Sequence, residues 1–153
     1  MLIKSFTCLF TSFLLIVSLQ TFAQDNYVQK TYAYYDSSTT TGIITYFIYI
    51  ETEEGTLPVW DTAIIDRSIY VVHADKIDIT PVQVGERKSD GKLITIRPAP
   101  GNDIHKLEFD LVEPAKNTGT SEKLKNTFLL KGALNGTKMN YKVRNLVALK
   151  SFD

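Results

Sequence analysis

The stretch GIITYFIYIET, from Gly42 to Thr52, constrains this chain more than any other. Counted alternately, Ile44, Tyr46, Ile48 and Ile50 fall on one side, and Ile43, Thr45, Phe47 and Tyr49 on the other. β-Branched and aromatic side chains suit a pleated surface and lose rotamer freedom in a helix, so the segment reads as a strand. Both its sides are apolar, which makes it an inner strand, covered on two faces and paired along two edges. For its outer aromatic face, Phe47 and Tyr49, the expected cover is either the loop of an N-terminal tyrosine-rich strand or a partner.

The remaining segments read as short strands and turns. Tyr27–Tyr35 forms a strand with four tyrosines, and the polar run from Asp36 to Gly42 connects it to the inner strand as a long-looped hairpin. Glu51 to Gly55 reads as the next turn, with acids near its tip. Pro58 marks the entry of a strand through Trp60, and Asp66-Arg67-Ser68 a tight hairpin between Ala63–Ile65 and Ile69–Val72. Pro81 breaks the register of Ile77–Val84, and Asp90-Gly91 closes a polar hairpin loop before Leu93–Ile96.

After the stiff Pro98–Asn102 loop, Leu107, Phe109 and Leu111 alternate with Lys106, Glu108 and Asp110, a half-buried strand. Glu113–Ser121 is an exposed loop, with at most one helical turn at Ser121–Leu124. Asn135-Gly136 then joins Thr127–Leu134 to Met139–Leu149 as a hairpin. On the last strand Met139, Tyr141, Val143, Val147 and Leu149 share one face, opposite Lys138, Asn140, Lys142, Arg144 and Lys150. No helical period exceeds two turns and no repeat of fixed length occurs. Eight to ten short strands imply an all-β domain, a single antiparallel β-sandwich of Ig-like or jelly-roll-like kind; the alternative is a closed, lipocalin-like β-barrel.

The first residues are a leader. Lys4 precedes an apolar run from Phe6 to Leu19, and Thr21-Phe22-Ala23 offers a cleavage site. The run is shorter than the ~20 residues needed to span a bilayer. Residues 1–23 are therefore expected to be a cleaved signal peptide and 24–153 a single β domain, with no membrane span after cleavage. The ending FAQ resembles leaders of Gram-negative bacteria, which places the expected site of residence in the periplasm or on the outer surface. Cys8 is the only cysteine and lies in the leader, so the 130 residues that follow cannot form disulfides or thiolate metal sites. Sixteen Lys and Arg then face 17 Asp and Glu, a balance that gives no sign of nucleic acid as a partner. The charges are segregated, with acids concentrated in 51–78 and bases in 116–150. This pattern either pairs acidic with basic strands or steers an anionic partner to the C-terminal hairpin.

Groups fit for catalysis are scarce. His73 shares a strand face with Asp75, and His105 with Asp103; these two pairs could supply four metal ligands if the strands met in space. No phosphate-cradling glycine loop, GxSxG or HExxH occurs, so neither catalysis nor a metal or cofactor is expected. Asp61-Thr62-Ala63 resembles a bacterial O-glycosylation triplet, and Asn135-Gly136-Thr137 is formally a sequon. The candidate binding residues are Tyr32, Tyr34, Phe47, Tyr49 and Trp60, because amphipathic rings combine apolar area with a polar tip. The expected role is non-enzymatic: contact with an envelope protein or with a second copy. The alternative is a β domain that binds carbohydrate or lipid.

Overall fold

The computed structural model describes residues 27–37, 44–114 and 128–150. The expected leader, most of the connector before the inner strand and the expected helical turn at 121–124 lie outside the described residues. Ten strands and no helix are found among the described residues: β1 (Lys30–Ser37), β2 (Ile44–Glu53), β3 (Val59–Ile65), β4 (Ser68–Lys76), β5 (Val82–Glu86), β6 (Leu93–Ile96), β7 (Asn102–Glu113), β8 (Phe128–Leu134), β9 (Thr137–Val143) and β10 (Val147–Ala148). Eight of them form one sheet in the order β10-β1-β2-β7-β4-β3-β8-β9, and β5 pairs with β6. All pairings are antiparallel except β1 with β10.

The sheet curls because its two ends belong to one run of chain. β9 bonds β8 at one end of the order and β10 bonds β1 at the other, yet only Arg144–Leu146 separate β9 from β10. The curl lays one half of the sheet over the other, as the layers of a sandwich lie. Tyr46 of β2 meets Phe128 of β8 edge-on, with ring centroids 5.5 Å apart.

β2 is the inner strand its composition demands. β1 pairs along one edge from Ile44 to Glu51, and β7 along the other from Ile48 to Glu53. Ile48 and Ile50 are completely buried in the main core with Leu107, Phe128, Leu130 and Trp60. Burial of each isoleucine stabilises the fold by about 1.5–3 kcal/mol. On the opposite face Phe47 and Tyr49 join Tyr32, Tyr34 and Ile104 in a second cluster, capped by Val82 and Val84 of β5 and Ile94 and Ile96 of β6. Among the described residues the outer face is thus covered by the β5–β6 hairpin, a cover the sequence did not suggest; most of the N-terminal loop expected there lies outside the described residues. Arg87 bridges to Leu149, and backbone bonds run from Lys88 to Ala148 (2.9 Å) and from Lys150 to Glu86 (2.8 Å), pinning the hairpin to the end of the chain.

The last strand is likewise divided. Met139, Tyr141 and Val143 face the main core, whereas Val147 and Leu149 belong to the second cluster. Asn145, at φ 58°, lies in the break that re-aims the chain, so the five apolar side chains do not share one face as expected. Asn135 and Gly136 both adopt positive φ, as a two-residue hairpin turn requires. Asp66 and Arg67 adopt the same conformation without glycine, at φ 47° and 73°; Ser68 already belongs to β4.

Gly132 of β8 lies opposite Trp60, where a register shift between Trp60 and Thr62 crowds the two backbones. A methyl group there would collide with the Val59 carbonyl oxygen and press on Trp60 Cα. Overpacking against backbone costs about 1–3 kcal/mol. Urea unfolding of Gly132→Ala is therefore expected to show a loss of about 2 kcal/mol or more.

Candidate functional site

Four of the five candidate binding residues come together. Alternation along β1 and β2 puts Tyr32, Tyr34, Phe47 and Tyr49 on the hairpin-covered face, where Tyr34 and Tyr49 are buried and Tyr32 and Phe47 half-buried. Trp60 lies apart, 4% exposed in the main core with its ring tilted 6.3 Å from Tyr141. The rings of Tyr34, Tyr49 and Trp60 are thus engaged in packing.

A carboxylate with no signal in its local composition anchors this cluster. The composition of Glu51–Gly55 reads as a turn, but β2 runs on to Glu53 and its alternation turns Glu51 inward beside Tyr49. The residue is only 3% exposed and fully partnered. Its Oε1 accepts from the Ala99 amide at 2.8 Å and the Asn102 side-chain amide at 2.7 Å, and Oε2 accepts from the Tyr32 hydroxyl at 2.8 Å. Burial would raise the Glu51 pKa, but these three donors, with Lys30 nearby, outweigh it and hold the carboxyl below the usual glutamate range. Burial, and then the bond to Glu51, push the Tyr32 hydroxyl far up, so it stays a donor. One carboxylate thereby ties β1, β2 and the Pro98–Gly101 loop into a single unit.

The histidines do not converge. His73 pairs with Glu108 in register and His105 with Lys76, so the two rings fall on opposite faces of the β4–β7 ladder. His73 Nε2 lies 3.2 Å from Asp110 on the exposed face. His105 is 4% exposed; burial lowers its pKa, and neither ring nitrogen has a hydrogen-bond partner among the described residues. Asp103 is held 2.8 Å from Lys76 instead. Among the described residues no three His, Cys, Asp or Glu side chains are placed to hold a metal ion. Thr62 sits within β3, paired on both edges, and Asn135 in the exposed β8–β9 turn.

The open chemistry lies where the curled sheet meets itself. β1 pairs with β10 only at Tyr34 and Tyr35, and β9 pairs only with β8. The edges of Lys30–Ala33 and Met139–Val143 therefore carry backbone donors and acceptors with no strand partner among the described residues. Between them the side chains close a single link, a 2.8 Å hydrogen bond between Thr31 Oγ1 and Tyr141 OH. A cleft of about 540 Å³ surrounds that link, lined also by Val28, Asn140, Lys142, Arg144 and Asn145. Lys142 and Arg144 form no ion pair with a described residue; the salt bridges join His73 to Asp110, Lys76 to Asp103, Arg87 to Asp90, Lys106 to Glu108 and Lys150 to Glu86. The seam is basic and edge-exposed.

Against protein-family models, curated proteins and solved structures alike, the chain shows no match.

The Glu51 anchor has a pH signature. Its folded pKa is lowered, so its stabilisation is present above the unfolded value and lost as pH falls through the folded one. Glu51→Gln is expected to flatten the decline in stability between about pH 6 and pH 3 measured by urea unfolding. Glu51→Ala strands three donors and is expected to cost about 3 kcal/mol near neutral pH.

Proposed function

We propose that this protein is an exported, non-enzymatic binding domain of a Gram-negative cell envelope, and that it grips an acidic, extended segment of a partner protein at the β1–β9 seam. The observation that carries this reading is the pair of strand edges, without strand partners among the described residues, that flank a cleft in which Lys142 and Arg144 form no ion pair with a described residue. An extended peptide can satisfy such edges with its own backbone, and carboxylates along it complement the two cations. The leader pattern and the lack of a cysteine after it favour export. The segregation of basic residues into the C-terminal third agrees with the second half of the reading. His73 and His105, on opposite faces of one ladder, are not arranged as an acid–base pair. The candidate rings Tyr32, Tyr34, Phe47 and Tyr49 then have a supporting role, holding β1 rigid so that its free edge is presented in register.

The probe is a synthetic peptide of alternating glutamate and valine, titrated into the isotope-labelled mature chain. Chemical-shift changes are expected on Lys30–Ala33 and Lys138–Arg144, weakening at least tenfold with Lys142→Glu/Arg144→Glu and falling with added salt. Shifts elsewhere, or binding indifferent to the charge reversal, would refute the seam as the contact.

A further inference from the structure

The two edges that flank the seam run in the same direction. Every step of the sheet order from β1 through β2, β7, β4, β3 and β8 to β9 is antiparallel, and an even number of reversals returns the original sense. The end of the chain agrees, for β9 passes through Arg144–Leu146 into β10, and β10 lies parallel to β1. Directly bonded strands lie about 4.8 Å apart and pair through their backbones. At the seam a whole tyrosine side chain and a threonine hydroxyl are needed to join the two, Thr31 Oγ1 to Tyr141 OH at 2.8 Å, beside a cleft of about 540 Å³. That bond also sets the phase of the pleats. Thr31 lies opposite the core residue Ile50, and Tyr141 packs against the same core, so both point inward at one level.

We propose that the partner segment enters this gap as one strand antiparallel to both β1 and β9, and that it reads, from its amino to its carboxyl end, apolar, acidic, small, acidic. This rests on the seam as the site of contact and adds the direction and pattern of what binds there. A single strand between two edges of like direction pairs antiparallel with both, and antiparallel ladders are the more stable kind per residue. Its side chains then alternate inward and outward in step with those of Lys30–Ala33 and Met139–Val143. The residue level with Thr31 and Tyr141 points in at the bond that spans the seam, so a small side chain fits there without breaking it. Its amino-terminal neighbour, level with Tyr32 and Lys142, points out, and a carboxylate there meets the exposed Lys142 ammonium. One place further, level with Ala33 and Val143, the side chain turns toward the buried core, where an apolar group belongs. On the carboxyl side, level with Lys30 and Asn140, a second outward carboxylate meets Lys30. Beyond Ala33, β10 takes the β1 edge at Tyr34 and Tyr35, so the partner chain leaves the sheet there. A guest parallel to both edges would need the same pattern in reverse order.

The probe is a peptide with a Val-Glu-Ala-Glu core between glycine–serine ends, carrying a nitroxide at one end or the other, titrated into isotope-labelled residues 24–153. The amino-terminal label is expected to broaden the amides of Ala33 and Val143 most, and the carboxy-terminal label those of Lys30 and Met139. The reversed core, Glu-Ala-Glu-Val, is expected to bind at least tenfold more weakly, and so is Val-Glu-Leu-Glu. Exchanged positions of the two labels, either label broadening both ends alike, or equal affinity of either altered core would overturn the proposed direction and pattern while leaving the seam as the contact. No shift at the seam with any of these peptides would refute the seam itself, and the inference with it.

Discussion

A strand buried on both faces from Ile48 to Thr52 dictates this architecture. β2 offers isoleucines to one side and aromatic rings to the other, and leaving either in water would forfeit several kcal/mol of apolar burial. One sheet face can be buried by curling the sheet on itself, which places Ile48 and Ile50 against β8 and its neighbours. The second face then needs a separate cover, and the β5–β6 hairpin is that cover. The parallel pairing of β10 with β1 and the bridge from Arg87 to Leu149 follow, because the end of the chain must reach across to tie hairpin and sheet together.

Polar groups at the margins of this packing divide into satisfied and unsatisfied sets. Glu51 is buried beneath the aromatic cluster with three donors, which turns a potential liability into a clamp between β1, β2 and the loop before β7. The open strand edges at the seam have no such compensation among the described residues. They lie at the open edge of the curled sheet. That is where an otherwise closed apolar structure retains affinity for something outside itself.

Much of the fold was legible in the residues because local chemistry determines it. The two-sided β2, the alternation of Leu107 and Phe109, the Asn135-Gly136 turn and the all-β class all follow from period-2 patterning and turn geometry. Glu51 was misplaced because the run Glu51-Thr52-Glu53-Glu54 looks like a turn by composition, although its parity with Phe47 and Tyr49 already pointed it inward. The cover over β2 was missed for a different reason. Ile94 and Ile96 announce a half-buried strand, but nothing local says which distant surface they meet. The parities within β1 and β2 group Tyr32 with Tyr34 and Phe47 with Tyr49; only the pairing of the two strands unites all four and leaves Trp60 in the other core. The seam is a product of the curl, with residues far apart in the chain.

The claim beneath all of this is that β2 is locked between two apolar layers and opens only when the whole domain does. Native-state hydrogen exchange of residues 24–153 tests it most directly. The amides of Ile48, Tyr49 and Ile50 should be among the slowest in the protein, with exchange free energies equal to that of global unfolding and well above those of β9. Exchange at those three amides as fast as on β9, or faster than global unfolding allows, would contradict the account.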